Sequence, residues 1–206
     1  MRRSVTTMNA PPENTNAASR EALARLVDGN QRFATRARRV VERADLDAMF
    51  ARNGAGQEPW AAVLTCADSR LAPELIFDTL LGEIFSVREA GNTAAAKMTL
   101  GSLEFASAML HVPLLLVLGH RTCGAVAAAL EGSTAPGHIA ILMEAITPGI
   151  AGMTDLDAAI EANVRASLAT IRKESDALHS AEAAGKLIIL GAIYDPATGE
   201  VAFLPS

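Results

Sequence analysis

Short, uninterrupted apolar runs alternate along this chain with segments in which the apolar residues recur every three to four positions. The runs predict strands that are buried on both faces, and the wider spacing predicts amphipathic helices. The predicted strands cover residues 60–65, 83–88, 114–118, 186–194 and 201–204. The predicted helices cover residues 19–34, 44–51, 73–80, 99–110, 123–130, 138–147 and 155–178. Buried strands that alternate with helices indicate an α/β fold, with a mostly parallel central β-sheet flanked by helices.

The size of the chain fits a single domain. It has 206 residues, of which 50% are hydrophobic, and this is enough to bury a substantial core. Residues 1–16 are polar and rich in Pro, Asn and Thr, so we expect a flexible N-terminal arm there. Residues 17–206 are expected to form the α/β domain.

Charge and hydropathy exclude several kinds of partner. The formal net charge is −5, so we expect no broad basic surface for nucleic acid. The longest apolar stretch, residues 112–119, is too short to span a bilayer, so no membrane partner is expected. The N-terminus has no apolar core typical of a secretion signal, which favours the cytoplasm. In that reducing compartment, the two cysteines are expected to be free thiols rather than a disulfide.

Three reactive side chains follow three predicted strands. Cys66, Arg88 and His120 each lie at the carboxyl end of a strand. In parallel sheets, ligands bind at this edge. The topology therefore predicts a functional site where these residues meet.

Cys66, His120 and Cys123 are candidate ligands of a metal ion. His120 and Cys123 are separated by two residues, and Cys66 comes from another strand end. Two thiolates and one imidazole suit Zn²⁺, and three protein ligands leave the fourth position open, as in catalytic sites. The alternative is that the thiols are small buried hydrophobes and the histidine a hydrogen-bonded core residue. A lone HxxC would favour that alternative, but the second cysteine, followed by an Asp-Ser-Arg segment one residue later, favours the metal.

Asp68 and Arg70 add a second chemical element. Asp68 is close enough to Cys66 to become a fourth metal ligand, and the guanidinium of Arg70 can clamp its carboxylate in a bidentate pair. With the pair intact, the fourth position stays open for water. The alternative is an ordinary surface ion pair, worth about 0–1 kcal/mol.

With these residues in view, the chain resembles the β-class carbonic anhydrases. The resemblance covers most of the length and rests on several motifs in order. These are DGNQRF (28–33), AVLTCADSRLAPELIFD (62–78), GEIFSVREAGN (82–92), GSLEFA (101–106) and VLGHRTCGAV (117–126).

The resemblance implies roles for particular residues. Cys66, His120 and Cys123 match the family's zinc ligands, with one Zn²⁺ per chain. Asp68 and Arg70 match its catalytic pair, in which the arginine restrains the aspartate or releases it onto zinc. The positions that match substrate contacts are Gln57, Phe85, Ala90, Phe105 and Gly124.

The implied activity is that of a zinc lyase (carbonate dehydratase). Zinc-bound hydroxide would attack CO2 and produce bicarbonate and a proton, reversibly. Two alternatives stay open: hydrolysis of carbonyl sulfide or carbon disulfide on the same site, and a non-catalytic structural zinc site that Asp68 closes. A redox role for the two cysteines ranks below both, because no resolving partner lies close in sequence.

The resemblance also implies a homo-oligomer. Members of the family form homodimers, often paired into homotetramers, with the N-terminal helix packed on the neighbouring subunit. Phe105 would then line the pocket of the partner chain. The alternative is that the helix at 19–34 packs on its own subunit.

Overall fold

A five-stranded sheet forms the centre of the molecule. In this computed structural model, which describes residues 15–133 and 135–205, the strand order is β2-β1-β3-β4-β5. The strands are β1 (Ala61–Thr65), β2 (Ile84–Arg88), β3 (Leu114–His120), β4 (Ile188–Tyr194) and β5 (Val201–Phe203). The first four are mutually parallel, and the short β5 runs antiparallel to β4. The predicted mostly parallel sheet is confirmed.

Helices flank the sheet, as predicted. They are α1 (Ala17–Ala34), α2 (Arg43–Ala55), α3 (Pro73–Ile76), α4 (Lys97–Ala108), α5 (Gly124–Leu130), α6 (Ile139–Ile146), α7 (Leu156–Glu174) and α8 (Asp176–Ala183). Two 3₁₀ turns lie at Ala90–Asn92 and Thr147–Ile150. Within the described ranges, no helix combines the length and apolar character that a bilayer crossing requires.

The core lies along β1 and β3, which pair with each other inside the sheet. Every residue of both strands is buried, which explains why their sequences are continuous apolar runs rather than alternating ones. Helix α7 packs closely on β3. A Cβ atom at Gly119 would lie 2.5 Å from Cγ2 of Val164, so glycine is needed there for the helix to approach.

Helix α1 packs on its own subunit. The Asn16 side chain caps its first turn by accepting the N–H of Ser19 at 2.8 Å. Leu23 and Leu26 are buried in the core, and Asn30 donates to two backbone carbonyls of distant segments, so the apolar face is used within the chain. Contact of α1 with a partner subunit stays a prediction. Residues 1–14 of the predicted arm lie outside the described residues.

Two predicted helices differ from the observed ones. The helix predicted over 73–80 ends at Ile76, and Asp78 takes a left-handed conformation (φ 48°), buried beneath arginines that hold its carboxylate. The helix predicted over 155–178 is two helices. Ser175 is extended between them, and its hydroxyl accepts the N–H of Leu178, which starts α8 as a separate element.

Candidate metal centre

Two neighbouring strands bring the three candidate ligands together. Cys66 follows β1, and His120 is the last residue of β3, which pairs directly with β1. A short turn then places Cys123 immediately before α5. The three side chains are buried, and their ligand atoms lie within 4.8 Å of one another. This grouping, predicted from the motifs, could hold one metal ion.

The hydrogen bonding of His120 leaves one ring nitrogen available for a metal. Its Nδ1 lies 3.0 Å from the backbone carbonyl of Arg121, which accepts the Nδ1 proton. In that tautomer Nε2 carries a lone pair, and it is buried with no hydrogen-bond partner among the described residues. A buried, unpaired polar atom is costly unless something binds it. A metal ion is the partner that this nitrogen and the two sulfurs fit.

The two thiols act on each other. Hydrogen bonding with Cys123 lowers the pKa of Cys66 to about 4, although burial opposes the change. The same contact, together with burial, raises the pKa of Cys123 well above its ordinary value. These opposite shifts make Cys66 the first of the two thiols to lose its proton. A divalent cation that also replaces the proton of Cys123 would be held by two thiolates.

Backbone N–H groups stabilise negative charge on both sulfurs. The N–H of Gly91 donates to Sγ of Cys66 at 3.3 Å. At the start of α5, the N–H groups of Ala125 and Val126 face Cys123 and act to lower its pKa, against the larger effects of Cys66 and burial. The site is thus built to carry the charge that metal-bound thiolates require.

Asp68 and Arg70 form a bidentate ion pair beside the cluster. Nε and Nη2 of Arg70 donate to Oδ1 and Oδ2 of Asp68 at 2.9 and 2.7 Å. Hydrogen bonding from Arg70, opposed by burial, holds the pKa of Asp68 well below its usual range. Oδ2 of Asp68 lies 4.0 Å from Nε2 of His120, so the carboxylate is held at the margin of the cluster.

Two further residues connect the segments that carry the ligands. Arg70 also donates to the hydroxyl (3.0 Å) and the carbonyl (3.3 Å) of Thr122, which lies between the second and third ligands in sequence. Arg88 donates to the carbonyls of Cys66 (3.4 Å) and Asp68 (2.8 Å). The sequence singled out Arg88 by its strand end. The sequence analysis gave no role to Thr122. Its position between His120 and Cys123 was the one feature of the sequence that could have indicated a role near the cluster.

The predicted substrate residues are only partly assembled in one chain. The rings of Phe85 and Phe105 lie 6.3 Å apart, Ala90 begins the 3₁₀ turn, and Gly124 opens α5. Phe105 is 46% exposed. Gln57 is exposed in the loop after α2. These roles stay predictions.

A cavity of about 330 Å³ lies away from the cluster. It is bounded by α7, β4 and the residues after β5, and Leu168, Leu187 and Leu204 are among its lining residues. None of the three candidate ligands lines it. It is therefore separate from the candidate metal centre.

The structure is that of an α/β protein with a Cys–His–Cys cluster that could hold a metal ion, close to the carboxyl ends of parallel strands. Residues 61–201 match the family model described as "Carbonic anhydrase". The chain is 38% identical to "Carbonic anhydrase 2" of Mycobacterium tuberculosis over 179 residues, which cover 82% of this chain and 84% of that protein. A carbonic anhydrase of Mycolicibacterium smegmatis is 37% identical over 190 residues, covering 85% and 88%.

Solved structures have the same fold. The β-carbonic anhydrase of Coccomyxa, in complex with acetazolamide, aligns with a TM-score of 0.69 and 27% identity over 88% of this chain and 86% of that one. A tetrameric β-carbonic anhydrase from Sordaria macrospora aligns with a TM-score of 0.69 and 22% identity over 79% and 92%. The chain belongs to the β-carbonic anhydrase family, and it is an enzyme of the carbonic anhydrase class.

Proposed function

We propose that this enzyme catalyses the reversible hydration of CO2 to bicarbonate and a proton, and that it depends on one Zn²⁺ held by Cys66, His120 and Cys123. The observation that carries the proposal is the buried Nε2 of His120, which has no hydrogen-bond partner among the described residues and belongs to a cluster whose ligand atoms lie within 4.8 Å of one another. This donor set suits Zn²⁺ and leaves one position open. When bound, Zn²⁺ supplies a Lewis acid that makes water nucleophilic near neutral pH.

Asp68 is proposed to orient the reacting water. Because Arg70 holds the pKa of this carboxyl well below its usual range, Asp68 stays ionised and accepts hydrogen bonds. The same low pKa makes it a poor acceptor for the proton that the reaction releases. Asp68 is therefore an orienting group, and Arg70 keeps its carboxylate out of the ligand cluster.

CO2 is proposed to occupy an apolar surface formed by Phe85 and Ala90 and completed by Phe105 of the partner subunit. A nonpolar linear molecule gains from contact with aromatic rings and loses no strong hydrogen bonds on leaving water. The backbone N–H of Gly124 has no acceptor within α5, because it belongs to the first residue of the helix, so it can donate to bicarbonate. Gln57, which is exposed in the loop after α2, is proposed as a further donor to the substrate.

The enzyme is further proposed to act as a homo-oligomer, either a dimer or a tetramer. Along α4, Met98 is 84% exposed, Phe105 46%, and Met109, just after the helix, 65%. A second copy that covers this face would bury it and bring Phe105 into the partner's pocket. Sedimentation of the wild type and of Met98→Glu tests the proposal: a monomeric wild type would contradict it.

A cytoplasmic location is proposed from the state of the cysteines. Both are free and buried in the structure, and the proposed metal site needs thiols rather than a disulfide. A reducing compartment maintains them. Fractionation of cells that express the full chain would test this location.

The proposed activity is tested by stopped-flow CO2 hydration on zinc-loaded protein from about pH 6.5 to about pH 9, with the zinc content measured on the same sample. We expect one zinc per chain and activity that rises with pH. Full zinc occupancy without CO2 turnover would overturn the proposal. Turnover of carbonyl sulfide or carbon disulfide would then indicate the sulfur substrates, and four protein ligands at every pH would indicate a structural site.

The orienting role of Asp68 has its own test. Asp68→Asn removes the charge with little change of shape, and we expect kcat to fall by about tenfold to a hundredfold. Asp47→Asn makes the same chemical change at a carboxylate that is 72% exposed and pairs only loosely with Arg43, so it serves as the matched control. Full activity in Asp68→Asn would contradict the role.

A further inference from the structure

The 3₁₀ turn at Ala90–Asn92 lies between the ligand cluster and α7. On one side of the turn, the N–H of Gly91 donates to Sγ of Cys66 at 3.3 Å, in a buried setting. Gly91 adopts a left-handed conformation (φ 70°), and a Cβ atom there would lie 2.7 Å from Cδ1 of Ile146. The conformation that points this N–H at the sulfur therefore depends on glycine and on the packing around it.

Two side chains of α7 hold the opposite side of the turn. Nδ2 of Asn163 donates to the carbonyl of Gly91 at 2.7 Å, and Oγ of Ser167 donates to the carbonyl of Asn92 at 3.0 Å. They are four residues apart and so lie on one face of the helix. Asn163 is 2% exposed and Ser167 is 4% exposed. Buried polar groups of this kind require partners, and here both partners belong to the turn.

These contacts place Gly91 between two fixed groups. Asn163 of α7 donates to the carbonyl of Gly91, and the N–H of the same residue donates to the sulfur of Cys66. Without the amide of Asn163, that carbonyl would be buried and unpaired, so the turn would have to move to find another partner. Because the carbonyl and the N–H belong to the same residue, any such movement would also change the contact of this N–H with Cys66.

We propose that Asn163, supported by Ser167, is a positioning residue of the metal centre, which sets the place of the Gly91 N–H on the Cys66 sulfur. The inference rests on the proposed zinc site. The inference extends the proposed metal centre to Asn163, which is 72 positions from Gly91 along the chain. Asn163 lies on α7, a helix that carries none of the proposed ligands. Groups that orient metal ligands from behind affect metal affinity by about 10- to 100-fold.

The expected effects follow from the charge on the sulfur. An N–H donor stabilises the thiolate and draws electron density from it. Loss of this donor in Asn163→Ala should weaken zinc binding by about tenfold. With Co²⁺ in place of zinc, the sulfur-to-metal charge-transfer absorption should move to longer wavelength, because the sulfur gives up its electrons more easily. Ser167→Ala should shift both readouts in the same direction by less, because Asn163 still holds Gly91.

The test measures zinc affinity by competition with a chromogenic chelator, and the absorption spectrum of the Co²⁺-substituted full chain. Ile171→Val is the matched control: it removes one buried methyl group two turns further along α7. It should lower the Tm while leaving both readouts unchanged. Wild-type affinity and an unshifted spectrum in Asn163→Ala would overturn the proposal and make the residue merely structural.

If Asn163→Ala does not fold, Ser167→Ala decides, and unchanged readouts in it overturn the proposal. The wild type separates this inference from the proposed function. A wild type that does not bind zinc would refute the proposed metal site. A wild type that binds zinc, with variants that bind it equally well, would refute the positioning role alone.

Discussion

The close packing of α7 against β3 makes a quantitative prediction at Gly119, the residue before His120. In Gly119→Ala the new methyl group would lie 2.5 Å from Cγ2 of Val164, whereas ordinary carbon contacts are about 3.5–4.0 Å. The two groups must therefore separate by about 1 Å. Val164 is fully buried, and a β-branched side chain in a helix has essentially one rotamer, so it cannot turn away. Overpacking of this kind costs about 1–3 kcal/mol.

Urea unfolding at a fixed protein concentration, followed by circular dichroism, measures this cost. Each 1 kcal/mol should also lower the Tm by about 2–4 °C in a chain of this size. Gly54→Ala is the matched control, because a Cβ atom there meets nothing within 4 Å and the residue lies in α2. It should leave stability unchanged or raise it by up to about 1 kcal/mol.

A second substitution tests the cause. Val164→Ala alone leaves a cavity and should cost on the order of 2 kcal/mol. In the double variant, the methyl group added by Gly119→Ala would fill part of that space. The combined loss should therefore be smaller than the sum of the two single losses by about 1 kcal/mol or more. Wild-type stability of Gly119→Ala, or strict additivity of the two losses, would refute the reasoning.

Three further predictions concern charge and metal. Asp78→Asn should cost about 1–3 kcal/mol at neutral pH, because partly exposed arginines hold a buried carboxylate there. Burial acts to raise the pKa of Asp78, but the arginines hold this pKa below its ordinary value. The stabilisation by the ionised carboxylate is therefore complete above the unfolded-state pKa of about 3.9, and it is lost as the pH falls through the folded-state pKa. Urea titrations across this pH range should show that the difference in unfolding free energy between Asp78→Asn and the wild type vanishes in acid. A difference that does not depend on pH would contradict the role given to the ionised carboxylate. Removing zinc with a chelator should lower the calorimetric Tm, because a ligand present at about a hundred times its Kd adds about 2.7 kcal/mol to the free energy of unfolding. An unchanged Tm would contradict a zinc site. Arg70→Lys should reduce CO2 hydration by about tenfold, because an ammonium group cannot replace the bidentate clamp on Asp68. Arg165→Lys, at an exposed pair with Glu161, should not reduce it, and equal activity in both variants would argue against the clamp.

The strands were predictable because their signal is local. Each of β1 and β3 is buried on both faces, and burial of that kind requires a continuous apolar run that can be read directly. Helix ends were less predictable. Apolar spacing continues through Ser175, but the hydroxyl of this residue caps a new helix. Spacing likewise continues past Ile76, where the ion pairs of Asp78 with distant arginines favour a left-handed turn instead.

The candidate site divides in the same way. The Asp68–Arg70 pair could be predicted because its two residues are close in sequence. The grouping of Cys66, His120 and Cys123 could be predicted because the parallel topology brings the ends of predicted strands to one edge of the sheet. Thr122 contributes through Arg70, which is 52 residues away, and Asn163 acts on Gly91 across 72 residues. No local pattern predicts such contacts.

The sequence by itself determined which residues can bind a metal, which segments are buried strands, and that a parallel sheet would bring the reactive strand ends to one edge. Only the tertiary structure decided that Nε2 of His120 is left unpaired among the described residues, that α1 packs on its own subunit, and that α7 supports the turn behind Cys66. The physical reason is the separation along the chain over which each kind of interaction acts. Side-chain chemistry and hydrophobic spacing act over a few residues, whereas hydrogen bonds between distant segments depend on how the helices pack on the finished sheet.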